Sequence, residues 1–154
     1  MDEMLQEFVA EALDLSTEVE EQLLALEKSP DNLEILNAVF RAFHTIKGGA
    51  GFMNLSAMVT ACHLTENLFD ALRTGQAPVT PSAIEAALIA SSFVGDQLTA
   101  LSMGTSIDQL ASMPEDLSLL LTDAIDGFST EEALTQSPEP MLVLGDLDAA
   151  LVSE

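Results

Sequence analysis

Cations and aromatic rings are the scarcest features of this chain. Its 154 residues include four Lys or Arg, no Trp, no Tyr and an aromatic share of 5%. Against 26 acidic residues, those four cations leave a formal charge of −22. A surface of that sign repels nucleic acid and anionic membrane, so neither is expected as a partner. The single cysteine, Cys62, excludes an internal disulfide and fits a reducing compartment. No run approaches the roughly 20 consecutive apolar residues of a membrane span. The start, Met1-Asp2-Glu3-Met4, lacks the basic region of a signal peptide. We expect a cytoplasmic protein. The 48% apolar share is supplied mainly by Leu, Ala and Met, which favours helix over sheet.

Helical periodicity organises most of the chain. Leu5, Phe8, Val9, Ala12, Leu15, Val19, Leu23 and Leu26 form one stripe of a first helix, with acids opposite. Ser29-Pro30-Asp31 breaks it. Asp31 is the expected N-cap of a second helix, with Glu34 completing a capping box. That helix carries Leu36, Val39, Phe40, Phe43, Ile46 and Ala50 toward the core and runs to Gly49 or Phe52. Ser56 is the expected cap of a third helix, about 57–74, with Gly75 in the C′ position. Thr80-Pro81 opens a fourth, stopped by Gly104. A shorter helical region, 106–126, is interrupted near Pro114 and stopped by Gly127.

The expected fold class is all-α, an antiparallel four-helix bundle with an additional C-terminal helical segment. The bundle occupies 1–127. Residues 128–154, where Ser, Thr, Glu and Pro accumulate, form a flexible tail or linker. The apolar run Met141–Leu144 within it is expected to be unstructured.

The chemistry-bearing stretch is Arg41-Ala-Phe-His44-Thr-Ile-Lys47-Gly48-Gly49-Ala-Gly51-Phe52. Two of the four cations stand three residues either side of His44. At about 100° per residue, His44 lies at the flank of the apolar stripe and shares a face with Arg41, Lys47, Gly48 and Gly51. Spacing leaves two readings of the glycines. Gly48 or Gly49 ends the helix, or bare backbone there lets a partner reach His44.

The third helix offers His63, Glu66, Asp70 and Arg73 on a face distinct from its apolar stripe. If it packs beside the second helix, His63 and Glu66 face His44. A carboxylate accepting from Nδ1–H would fix the imidazole tautomer and leave Nε2 free as a nucleophile. A metal site is not expected, because neither His has a second His or Cys at helical spacing and Lys47 repels cations. A Ser–His–Asp hydrolase lacks an oxyanion hole, and no phosphate-binding loop follows a strand. Cys62 falls on the apolar stripe and reads as buried and inert.

Phe40–Phe52 resembles the phosphorylation motif of histidine phosphotransfer (HPt) domains, above all the N-terminal ones of CheA-type chemotaxis kinases. His63-Leu-Thr-Glu66-Asn-Leu-Phe-Asp70 resembles that family's second signature. The resemblance implies that His44 accepts a phosphoryl group from ATP through a separate CheA-type kinase catalytic domain. It would then pass the group to an aspartate of a CheY-like or CheB-like response regulator. Glu66 would orient the ring, Lys47 would contact phosphoryl oxygens and His63 would be secondary. Gly48 and Gly49 would give the partner clearance. ATP and Mg²⁺ would belong to the partners, with no cofactor or metal in this chain.

No Asp-x-Gly-x-Gly of a kinase ATP lid is present. The chain therefore reads as a phosphoacceptor without catalysis of its own. We expect the N-terminal piece of a longer histidine kinase, monomeric when isolated. The alternative is a non-catalytic acidic helical module that binds a basic partner.

Overall fold

The computed structural model describes residues 3–126. The expected stop at Gly127, the tail 128–154 and its run Met141–Leu144 lie outside them. The described residues form five α-helices: α1 (Glu3–Lys28), α2 (Leu33–Phe52), α3 (Ser56–Arg73), α4 (Pro81–Ser102) and α5 (Glu115–Ile125). A single 3-10 turn, Ile107–Gln109, lies between α4 and α5, and no strand occurs among the described residues.

α1 packs against α2 and α4, and α3 closes the ring against α2 and α4. α5 lies on the outside, against α3 and α4, as the added helical segment. The α2–α3 pair is the most extensive interface. The core is the sum of the helical stripes. Leu5, Val9, Ala12, Val19, Leu23 and Leu26 of α1 are buried. They meet Leu36, Val39, Phe43, Ile46 and Ala50 of α2, and Met58, Cys62, Leu68, Phe69 and Leu72 of α3. α4 contributes small residues, Ala83, Ala86, Ala87, Ala90 and Ser91, which let its neighbours approach closely.

The ends of the helices correct two expectations and decide between the two readings of the glycines. Asn32, not Asp31, caps α2, and its Oδ1 accepts the Ile35 N–H at 3.2 Å. Ser56 is the first residue of α3 rather than its cap. The capping position is Leu55, which has no side-chain oxygen to offer. The glycines at 48, 49 and 51 do not end α2, which continues through all of them to Phe52.

α2 ends instead at Asn54, whose φ of 62° places it in the left-handed region. There the Asn54 N–H donates to Gly51 O at 3.2 Å and the Leu55 N–H to Ala50 O at 2.9 Å. This is the Schellman pattern, with buried Leu55 as its apolar C″ residue. Leu55 also starts α3, since its carbonyl accepts the Val59 N–H at 2.9 Å. One apolar residue thus closes one helix and opens the next. The polar cap is absent because that position faces the core. The resulting turn is tight and sets the antiparallel register of α2 against α3.

Elsewhere the expected signals hold. Thr80 Oγ1 accepts the Ala83 N–H at 3.1 Å, with Pro81 at the first helical position. Gly75 and Gly104, at φ 81° and 99°, end α3 and α4 in a conformation that L side chains resist. Pro114 stands immediately before α5.

Candidate functional site

The register of α2 and α3 brings Glu66 opposite His44 and Lys47. Glu66 is only 6% exposed, so it faces inward beside the apolar stripe rather than on a separate polar face. Its Oε2 bonds the Nδ1 of His44, and its Oε1 accepts from Lys47 Nζ at 2.5 Å. Both carboxylate oxygens are therefore occupied by α2. Burial pushes the Glu66 carboxyl toward higher pKa. The Lys47 hydrogen bond, then the His44 hydrogen bond, with the attraction of both groups, outweighs burial and holds it below the usual carboxylate value.

That direction and the bond geometry together define the donor. An ionised carboxylate has no proton to give, so the bond to His44 requires the ring to donate from Nδ1. In the neutral ring, Nε2 then keeps its lone pair. The His44 side chain is 65% exposed, against 7% for Glu66. The site is a solvent-facing imidazole held from behind by a buried anion, with Lys47 (27% exposed) locked alongside.

The other sequence candidates separate. His63 is exposed and makes no hydrogen bond, ion pair or ring contact among the described residues. Arg41 is likewise exposed without a bonded partner among them. Gly48 has open space where a Cβ would stand, with nothing within 4 Å. Gly49 does not fit the expected role of partner clearance, because the space beside it is filled from within. A Cβ there would lie 2.5 Å from Cδ1 and Cε1 of Phe8. Its bareness lets α1 close on α2. Cys62 is buried, and burial, then the Glu66 charge, pushes its thiol up to about 12 despite Lys47 nearby. It is a neutral packing residue at physiological pH. Among the described residues, no group of three or more His, Cys, Asp or Glu is placed to hold a metal ion.

Sequence reasoning left Phe40, Arg73 and Asn37 without a joint role. In the fold the Phe40 ring lies parallel to His44, with centroids 6.3 Å apart and planes 8° apart. The Arg73 guanidinium covers the Phe40 ring at 3.8 Å from its centroid. Arg73 also bonds Asp70 Oδ1 from Nη2 at 2.9 Å and Asn37 Oδ1 from Nη1 at 3.2 Å. A spacing signal existed. Asn37 and Phe40 precede His44 and Lys47 by seven residues, and Arg73 follows Glu66 by seven.

Comparison with known proteins identifies the family. The chain matches the family described as Hpt domain over residues 3–126. Chemotaxis protein CheA of Salmonella typhimurium is 38% identical over 95 residues, covering 62% of this chain and 14% of that protein. The chain spans less than a quarter of the length of the curated relatives it matches. The solved CheA phosphotransferase domain from Thermotoga maritima is 31% identical, with a TM-score of 0.63. That match covers 66% of this chain and 99% of the other. The phosphorylated P1 domain of CheA3, solved in complex with CheY6 from R. sphaeroides, is 27% identical with a TM-score of 0.68. It covers 84% of this chain and 100% of that one. A helical bundle that presents one carboxylate-backed imidazole, matched along nearly its whole described length, makes this chain a member of the Hpt domain family.

Proposed function

We propose that His44 is the phosphoryl acceptor and donor of a chemotaxis-type signalling kinase. The observation that carries this is the Nδ1 bond from an exposed imidazole to a buried, ionised Glu66, which leaves Nε2 toward solvent. The Nε2 lone pair attacks the γ-phosphorus of ATP held by a separate kinase domain. An N–P bond forms as the bond to ADP breaks, and ADP leaves with its electron pair. The Nδ1 proton stays on Glu66's side of the ring. In the return step an aspartate oxygen of a response regulator attacks the same phosphorus, and the N–P pair returns to Nε2.

Phosphoryl transfer depends mainly on positioning and charge stabilisation. This chain supplies both. Glu66 fixes the tautomer and ring direction, and Lys47, held beside it, offers its remaining N–H groups to phosphoryl oxygens. Open backbone at Gly48 lets a partner approach. ATP and Mg²⁺ arrive with the partner domains, and dependence on ATP places the reaction in the cytoplasm. CheY-like or CheB-like regulators are the receivers proposed here, in line with the P1–CheY6 complex. A purely docking role for the acidic surface would leave the His44–Glu66–Lys47 arrangement without a use.

The test is labelling from γ-labelled ATP by a CheA-type kinase core that lacks its own acceptor domain. The wild-type chain takes up acid-labile label and His44→Gln takes none. Glu66→Ala slows labelling by about tenfold to a hundredfold, the scale of losing one positioning contact. Label persisting on His44→Gln overturns the assignment.

A further inference from the structure

We infer that Phe40, braced by Arg73, is a second positioning device for the His44 ring, independent of Glu66. It rests on His44 being the phosphoryl acceptor. The hydrogen bond from Nδ1 to Glu66 fixes one edge of the imidazole. A single bond leaves rotation about its own axis soft, and that rotation swings Nε2 through an arc. A parallel neighbour opposes it. Phe40 lies one turn before His44 on α2, with ring planes only 8° apart. The 6.3 Å centroid separation makes this an offset contact, within the range where ring pairs still interact.

Phe40 would be a weak guide if it were free to turn. It is held by the Arg73 guanidinium, which covers its ring at 3.8 Å from the centroid. Arg73 in turn is held by two acceptors, Asp70 Oδ1 and Asn37 Oδ1. Its Nε and Nη2 bond Asp70 Oδ1 at 3.0 and 2.9 Å, and its Nη1 bonds Asn37 Oδ1 at 3.2 Å. A planar guanidinium can stack and hydrogen-bond in this way at once, which a lysine ammonium cannot.

The arrangement repeats the phosphoacceptor site one heptad along. Glu66 of α3 spans His44 and Lys47 of α2; Arg73, seven residues on, spans Asn37 and Phe40, each seven residues back. The two α3 side chains therefore grip α2 in the same register. Glu66 holds the edge of the imidazole, and the Arg73–Phe40 stack limits its tilt.

The experiment uses the 154-residue chain with an acceptor-free kinase core. Single-turnover labelling is measured against kinase concentration for Phe40→Leu, Phe40→Tyr, Arg73→Ala, Arg73→Lys and the double variant Phe40→Leu/Arg73→Ala. Thermal melts and the NMR shifts of the His44 ring protons are recorded for each. Phe40→Leu is expected to lower the saturating rate by about threefold to tenfold, the rate equivalent of one ring contact. Its half-saturating kinase concentration stays unchanged and its His44 protons lose the ring-current shift. Phe40→Tyr keeps wild-type behaviour, and Arg73→Lys falls with Arg73→Ala. The double variant is no slower than Phe40→Leu, because Arg73 acts through Phe40.

Equal saturating rates for wild type and Phe40→Leu overturn the inference while leaving His44 as acceptor. A full additional Arg73 effect in the Phe40→Leu background does the same for the brace. Rate losses that follow melting temperature across the set, with His44 shifts unmoved, reduce the stack to a structural contact and also overturn it. Wild-type chain that takes no label removes the underlying assignment and this inference together.

Discussion

Glu66 is a buried acid among 26 acidic residues, and its ionisation depends on two partners from a neighbouring helix. Its folded pKa lies below the ordinary value of 4.5, so the native state holds its proton less tightly than the unfolded chain does. The stability this contributes is complete above that ordinary value and is lost as pH falls below it, through the depressed folded value. Glu66→Gln keeps the shape and removes the charge. The stability gap between wild type and Glu66→Gln is expected to be about 1–3 kcal/mol at pH 7. It should hold constant down to about pH 5 and shrink in more acid solution. Urea unfolding of both proteins from pH 7 to pH 3 measures it. A gap that stays level through that range would show that folding leaves the proton affinity of Glu66 unchanged, and a gap that widens in acid would show Glu66 to be uncharged in the fold. The other acids are common to both proteins, so their titration cancels in the comparison.

At the scale of the element, α2 shows how two adjacent glycines in one helix do different jobs. Each costs up to about 1 kcal/mol relative to alanine in a helix interior. Gly48 faces open space, so Gly48→Ala should raise stability by roughly 0.5–1 kcal/mol. If a partner's backbone passes there, the same variant transfers its phosphoryl group more slowly despite melting higher. Gly49→Ala drives a methyl into the Phe8 ring and should destabilise by about 1–3 kcal/mol. Thermal melts of the two variants, moving in opposite directions, check the assignment. Equal shifts would mean that α1 does not close on Gly49. Sequence spacing could not divide the two glycines, because Phe8 lies on another helix. The same limit applied at the α2–α3 turn. Ser56 and Asp31 were reasonable caps by local chemistry, but Leu55 was drawn into the core and Asn32 lay one residue nearer the helix.

Over the whole molecule, charge is the dominant asymmetry. Residues 1–127 hold 20 of the 26 acids against four cations, which sets acids against one another across the bundle. Three of the four cations, Arg41, Lys47 and Arg73, stand on α2 and α3 around His44. Self-repulsion elsewhere costs stability, and salt screens it over a distance of about 10 Å at 0.1 M. Raising NaCl from 0.02 to 0.5 M, roughly the span over which that distance falls severalfold, should raise the melting temperature by several degrees. A flat or falling response would indicate that the acids are too well spread to oppose the fold. The local cations would ease the approach of the anionic partners proposed above to the His44 face.

The sequence by itself determined the helices, their buried stripes, the four-helix architecture and the candidacy of His44 and Glu66. These follow from period, turn residues and local motif, which are properties of residues close in the chain. Only the tertiary structure decided which side chains meet across helices. The register set by the Met53–Leu55 turn placed Glu66 under His44 and Lys47, and Arg73 under Asn37 and Phe40. The same packing filled the space beside Gly49 with Phe8 and left the space beside Gly48 open. Such contacts join residues far apart in sequence, so they are fixed by how the helices pack rather than by any one segment's pattern.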